Sequence, residues 1–148
     1  MTYYEGYSFK YHPKFKKEFN KIIKRHKCPT LKEDFRLFID TLIVNLAESN
    51  KFPEHVCMHI AGLDSSAKLS AFIVKKFRCQ KINRGANSGF RFTFMYHSVN
   101  KLFIFVEFYN KNVKDVEDKN RINNLFLKSI KLCDELYEGE EEFLNSNL

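Results

Sequence analysis

Residues 88–109 read SGFRFTFMYHSVNKLFIFVEFY, two runs of aromatic and β-branched residues on either side of a short polar break. Runs of this kind flanking a turn signal predict two antiparallel strands, 89–97 and 102–109, joined through Ser98, Val99 and Asn100. In an extended chain, successive side chains point to opposite faces. Phe90, Phe92, Phe94 and Tyr96 therefore share one face, opposed across the hairpin by Leu102, Ile104, Val106 and Phe108, and this face is expected to be the core. The other face carries Arg91, Thr93, Met95, His97, Glu107 and Tyr109. With the turn centred on Val99, Arg91 falls opposite Glu107 and Tyr109 opposite Gly89. Two uses of Arg91 are then open, a cross-strand ion pair and a phosphate contact.

Outward from the hairpin, residues 70–80 predict a third strand that adds Ile73 and Phe77 to the core face and Lys76 and Arg78 to the other. Residues 49–70, with Pro53, Gly62, Asp64, Ser65 and Ser66, read as a loop-rich insertion around a short strand near 56–60. At the start, Tyr7, Phe9 and Tyr11 alternate with Ser8, Lys10 and His12, the period of a half-buried strand. Pro13 suits a first helical turn, and Phe15, Phe19, Ile22 and Ile23 follow at helical spacing to about His26. Pro29 interrupts, and Thr30 with Glu33 forms a capping box for a second helix whose stripe is Leu31, Phe35, Phe38, Ile39, Leu42 and Leu46. A final helix over 116–137 is expected to bury Ile122, Leu125, Phe126, Ile130, Cys133 and Leu136, ahead of an acidic tail at 138–148. The whole predicts one α+β domain over 1–148: a small antiparallel sheet with a mixed edge, an N-terminal helix hairpin and a C-terminal helix.

No uncharged run approaches the ~18 apolar residues of a membrane span, and the first sixteen residues lack the apolar segment of a secretory signal. A cytoplasmic protein without membrane contact is expected. Cysteines 28, 57, 79 and 133 show no paired zinc or redox spacing. His55, Cys57 and His59 alternate, but with no fourth ligand they make a weak metal pattern. No metal or cofactor is expected. The net charge of +7 hides an asymmetry. Residues 10–27 hold eight basic residues and one acid, Glu18; residues 72–91 hold Lys75, Lys76, Arg78, Lys81, Arg84 and Arg91 and no acid; residues 134–142 hold six acids and no base. Such basic clusters point to a polyanion such as RNA, and the acidic tail is expected to fold toward its own basic face.

The glycine-aromatic-arginine start Ser88-Gly89-Phe90-Arg91, the segment KKFRCQKINRGANSGFRFTFMYH and the stretch FVEFYNKNVKDVEDKNRI resemble the RelE/ParE superfamily of toxins from toxin-antitoxin pairs. The resemblance covers about residues 60–122 in sequence and is architectural before that, so the expected fold is RelE-like. It implies an endoribonuclease that cleaves messenger RNA at the ribosome without a metal, inhibiting translation, and an acidic, partly disordered antitoxin as partner. Carried onto this chain, the catalytic candidates are Arg91, Arg78, Tyr109 and Lys111, with RNA contacts from Lys75, Lys76, Lys81, Arg84 and Lys114. The arginines suit charge on the attacked phosphate. Tyr109 or a lysine serves as acid or base, and acts as a base near neutral pH only if neighbouring cations depress its pKa. His97, about 20 Å from Arg91 along the strand at ~3.4 Å per residue, is too distant. No counterpart exists of the His-Tyr ending used by some family ribonucleases, which leaves the general base open. The resemblance equally admits a non-enzymatic inhibitor of the ParE type, which acts on DNA gyrase, or a degenerate member in which Arg91 only pairs with Glu107.

Overall fold

A computed structural model describes residues 6–26, 30–60, 69–75, 77, 89–111, 117–129 and 137–138. The chain runs β1 (Ser8–Tyr11), α1 (Pro13–His26), α2 (Leu31–Ser49), β2 (Cys57–His59), β3 (Leu69–Val74), β4 (Phe90–His97), β5 (Leu102–Asn110), α3 (Lys119–Ser129) and β6 (Tyr137–Glu138). The strands form one mixed sheet in the order β2-β3-β4-β5-β1-β6. Neighbours are antiparallel except β1 and β5, which run parallel with Ser8 beside Leu102 and Tyr11 beside Phe105. The α+β class is as the sequence predicts, and the sheet is mixed, but its parallel pair lies inside the sheet because β6 adds an antiparallel strand beyond β1. No helix among the described residues is long and apolar enough to cross a membrane.

Local chemistry accounts for the element ends. Pro13 opens α1 because its missing N–H needs no partner in a first turn. In place of a Ser or Asp cap, the ring Nδ1 of His12 accepts from the Lys14 N–H at 3.1 Å. Asn50 ends α2 in the left-handed conformation, φ 59, donating its N–H back to Leu46, the usual helix stop. The capping box expected at the start of α2 does not form: Thr30 makes no side-chain cap bond and its hydroxyl donates to Asp34 at 3.2 Å.

The first core lies on the face covered by α1 and α2. Phe35 is its hub, with ring centroids 5.1–6.4 Å from Phe15, Phe19, Phe77, Phe92, Phe105 and Phe108. Edge-on and offset ring pairs at this spacing add to the stabilisation from burial alone. The stripe expected on α2 is buried at Leu31, Phe35, Ile39, Leu42 and Leu46, with Ile43 beside it.

The opposite face is not open. Leu69, Ala71, Met95, Leu102, Ile104 and Val106 form a second core with Ile122 and Leu125 of α3, so helices cover both sides of the sheet. This overturns the face assignment for the first half of β5. The turn has four residues, Ser98–Lys101, since His97 pairs with Leu102; Lys101 reverses the chain at φ 50. That shifts the expected register by one, and an irregularity between Thr93 and Phe94 that leaves Val106 unpaired shifts it by one more. A residue inserted in one strand resets which side chains face which way. Phe103 and Phe105 thus join Phe108 on the α2 side, while Leu102, Ile104 and Val106 turn to α3. The final helix also differs from expectation, because Tyr137 and Glu138 are extended beside Tyr11 and Lys10. Ile130, Cys133 and Leu136 lie outside the described residues.

Candidate functional site

Gly89 sets the open end of the β4–β5 hairpin. Its φ of 89 belongs to the region that only glycine enters without cost, and its carbonyl accepts from the Lys111 N–H at 2.8 Å. Phe90 then enters the first core, fully buried, and alternation sends Arg91 to the α3 face. This is the physical content of the glycine-aromatic-arginine run.

Arg91 pairs across the hairpin with Tyr109, and Thr93 with Glu107. The expected Arg91–Glu107 pairing is therefore corrected by the same two-residue shift, and the expected Tyr109–Gly89 pairing is replaced by Asn110 opposite Phe90. Arg91 is half-buried, with its Nε making no hydrogen bond. Tyr109 is only 5% exposed. Its phenol is pushed up to about 12, first by burial and then by the Glu117 carboxylate; Arg91 pulls the other way and Glu107 adds a smaller upward push. The depression that a base would need does not occur. Tyr109 is protonated near neutral pH, and what it offers a substrate is a proton or a hydrogen bond.

Lys111 is exposed just past the end of β5, and Lys75 is exposed where β3 ends, one residue after the Val74–Phe92 pair. Arg91, Tyr109, Lys75 and Lys111 thus gather at one end of the sheet. Arg78, Lys76, Lys81, Arg84 and Lys114 lie outside the described residues.

Three residues that sequence reasoning did not single out form a network beside this site. Both oxygens of Glu18 accept from the two terminal nitrogens of Arg121, at 2.8 and 2.9 Å. Arg121 also donates to the Val106 carbonyl at 3.0 Å, and the Phe108 N–H donates to Glu18 at 3.4 Å. Asp118 accepts the Arg121 N–H and donates its own N–H to the fully buried Glu107 at 2.7 Å. The partner strand β1 ends at Tyr11 beside Phe105, so on that side the main-chain groups of Val106 and Phe108 lack a strand neighbour, and the ion pair takes its place. Glu18 had a signal in the sequence, as the single acid among eight bases. Around this face the described residues add Glu18, Glu117 and Asp118 to Glu107, so a surface expected to be cationic with one carboxylate holds four carboxyl groups beside Arg91 and Arg121.

Cations do cluster on the helical side. The Lys32 ammonium is held below its ordinary value by burial, then by the charges of Lys16 and Arg36. Among the described residues no group of three or more metal-ligating side chains assembles. Compared with known proteins, the chain matches no family model, no curated protein and no solved structure.

Proposed function

We propose that this chain is a RelE-like endoribonuclease toxin that cleaves messenger RNA at the ribosome and is neutralised by an acidic antitoxin. The observation that carries the reading is the Arg91–Tyr109 pair at the open hairpin end, flanked by the exposed Lys75 and Lys111. In metal-free cleavage the ribose 2′-oxygen loses its proton and bonds to phosphorus; the bond to the 5′-oxygen breaks, and that oxygen takes up a proton. Arg91 supplies a fork of donors to the charge building on the phosphate. Tyr109, kept protonated by burial, suits donation to the leaving oxygen, and the lysines draw the RNA backbone in. Glu117, half-buried and the charged neighbour that raises Tyr109 most, is the described carboxylate best suited to take the 2′-proton.

The test is induction of the chain alone, followed by messenger RNA cleavage with and without ribosomes. Growth arrest with cleavage supports the reading. Unimpaired cleavage by a folded Arg91→Ala variant would remove Arg91 from the site. A second reading, a non-enzymatic inhibitor on the same fold, is favoured by the near-complete burial of Tyr109; arrest without RNA cleavage, together with loss of gyrase supercoiling, would select it.

A further inference from the structure

We propose that the cleft at the turn end of the β4–β5 hairpin, about 740 Å³ in volume, binds a planar aromatic anion of mononucleotide size. It lies on the α2 side of the sheet, five residues along β4 from Arg91, about 17 Å at ~3.4 Å per residue. It is therefore distinct from the site proposed above, and the inference does not rest on that reading. The volume falls within the range of small-molecule sites.

The cleft is lined by Phe52, Phe72, Tyr7 and Tyr96, with Lys51 and Lys101 at its rim. Phe52 stands edge-on to Phe72 at 5.0 Å and to Tyr96 at 5.3 Å. Phe52 and Phe72 belong to the buried first core and back an aromatic wall, while the partly exposed Tyr7 and Tyr96 are the rings it presents, of the kind on which nucleobases stack. Burial, and next the neighbouring Tyr7, raises the Tyr96 phenol above its ordinary value, so the Tyr96 hydroxyl stays available as a hydrogen-bond donor. Among the described lining residues two exposed ammonium groups accompany one carboxylate, Glu54, a balance that favours a ligand bearing negative charge.

Lys101 supplies a second, independent observation. It holds φ 50, a conformation usually left to glycine or asparagine, and its Nζ lies 5.5 Å from the centre of the Tyr7 ring. A turn needs no lysine there; a site that pairs an ammonium with an aromatic wall does. Backbone outliers of this sort concentrate where a ligand is held.

The experiment is calorimetric titration of the full chain with AMP and UMP, and with adenosine and ribose 5-phosphate as half-ligands. The expected result is one site with a Kd below about 1 mM for at least one nucleotide, and at least about tenfold weaker binding of each half-ligand. Lys101→Gly removes the ammonium and relieves the backbone, so it should fold at least as well while binding about tenfold more weakly. Ala47→Trp, which fills the mouth from exposed helix surface, should abolish binding, and Arg91→Ala should leave it unchanged. The proposal is overturned if neither nucleotide binds, if Lys101→Gly binds as well as the parent, or if binding survives Ala47→Trp.

Discussion

Thr93 is fully buried and its hydroxyl oxygen has no hydrogen-bond partner. A polar group in that state lowers stability, so the isosteric Thr93→Val should raise the unfolding free energy by about 1 kcal/mol, read as a higher urea midpoint. A lower midpoint would mean the hydroxyl is satisfied in solution. Two residues away, Arg91 is where recognition of phosphate would be lost. Arg91→Ala should slow RNA cleavage about 100- to 1,000-fold, in line with removal of one preorganised donor, while Arg91→Lys, which lacks the planar fork, should recover only part. Tyr109→Phe should cost about 100-fold if the phenol is the acid. Cleavage kinetics with a model oligonucleotide check all three, and an unchanged rate for Tyr109→Phe would leave the phenol a structural role. That Arg91 and Tyr109 lie near one another at the same end of the hairpin was legible from the two runs; their direct pairing was not, because the expected register set Arg91 opposite Glu107. The environment of Tyr109 was not, because the Glu117 carboxylate that raises it lies later in the chain and comes near only after folding.

At the scale of elements, the existence and type of every described helix and of strands β1 to β5 were legible in periodicity, but the phase of β5 was not. Alternation assumes one residue per rung. Val106 breaks that assumption, and nothing in LFIFVEF marks this valine as the unpaired one, since residues 102–106 are all apolar. The same bulge turns main-chain groups of Val106 and Phe108 toward Glu18 and Arg121. Arg121 is 10% exposed at its side chain and Glu18 27%, so breaking the pair should cost less than the 3–5 kcal/mol of a fully buried one, about 2 kcal/mol. Glu18→Gln and Arg121→Met should each destabilise by about that amount, and the double variant by clearly less than twice as much. Simple additivity in this cycle would show that the pair carries no coupling.

At the scale of the whole molecule, Cys57, Tyr109 and Tyr96 bind their protons more tightly folded than unfolded. Burial raises the Cys57 thiol from 9.0 to about 12, and Tyr109 rises from 10.0 to about 12, with Tyr96 also raised. The unfolded chain releases these protons first, so stability is full below about pH 9 and falls as pH climbs toward about 12. Urea midpoints across that window should decline, and less steeply in Tyr109→Phe; equal slopes would remove Tyr109 from the account. The core is dominated by one ring, and Phe35→Ala should cost about 4 kcal/mol, visible as a large drop in Tm. That Phe35 would be buried was readable from the α2 stripe. That six other phenylalanines converge on it was not, because they come from α1, β4, β5 and the residues after β3, and only the three-dimensional arrangement brings them together.

The parallel pairing of β1 with β5 also has a meaning in time. Residues 8–11 leave a ribosome well before their sheet partner, residues 102–105. At about 5–20 residues per second, the opening strand waits roughly 5–20 s before its neighbour exists, with Phe9 and Tyr11 uncovered. During synthesis β1 therefore stays without its neighbour, and the sheet closes only when the later hairpin arrives to receive it.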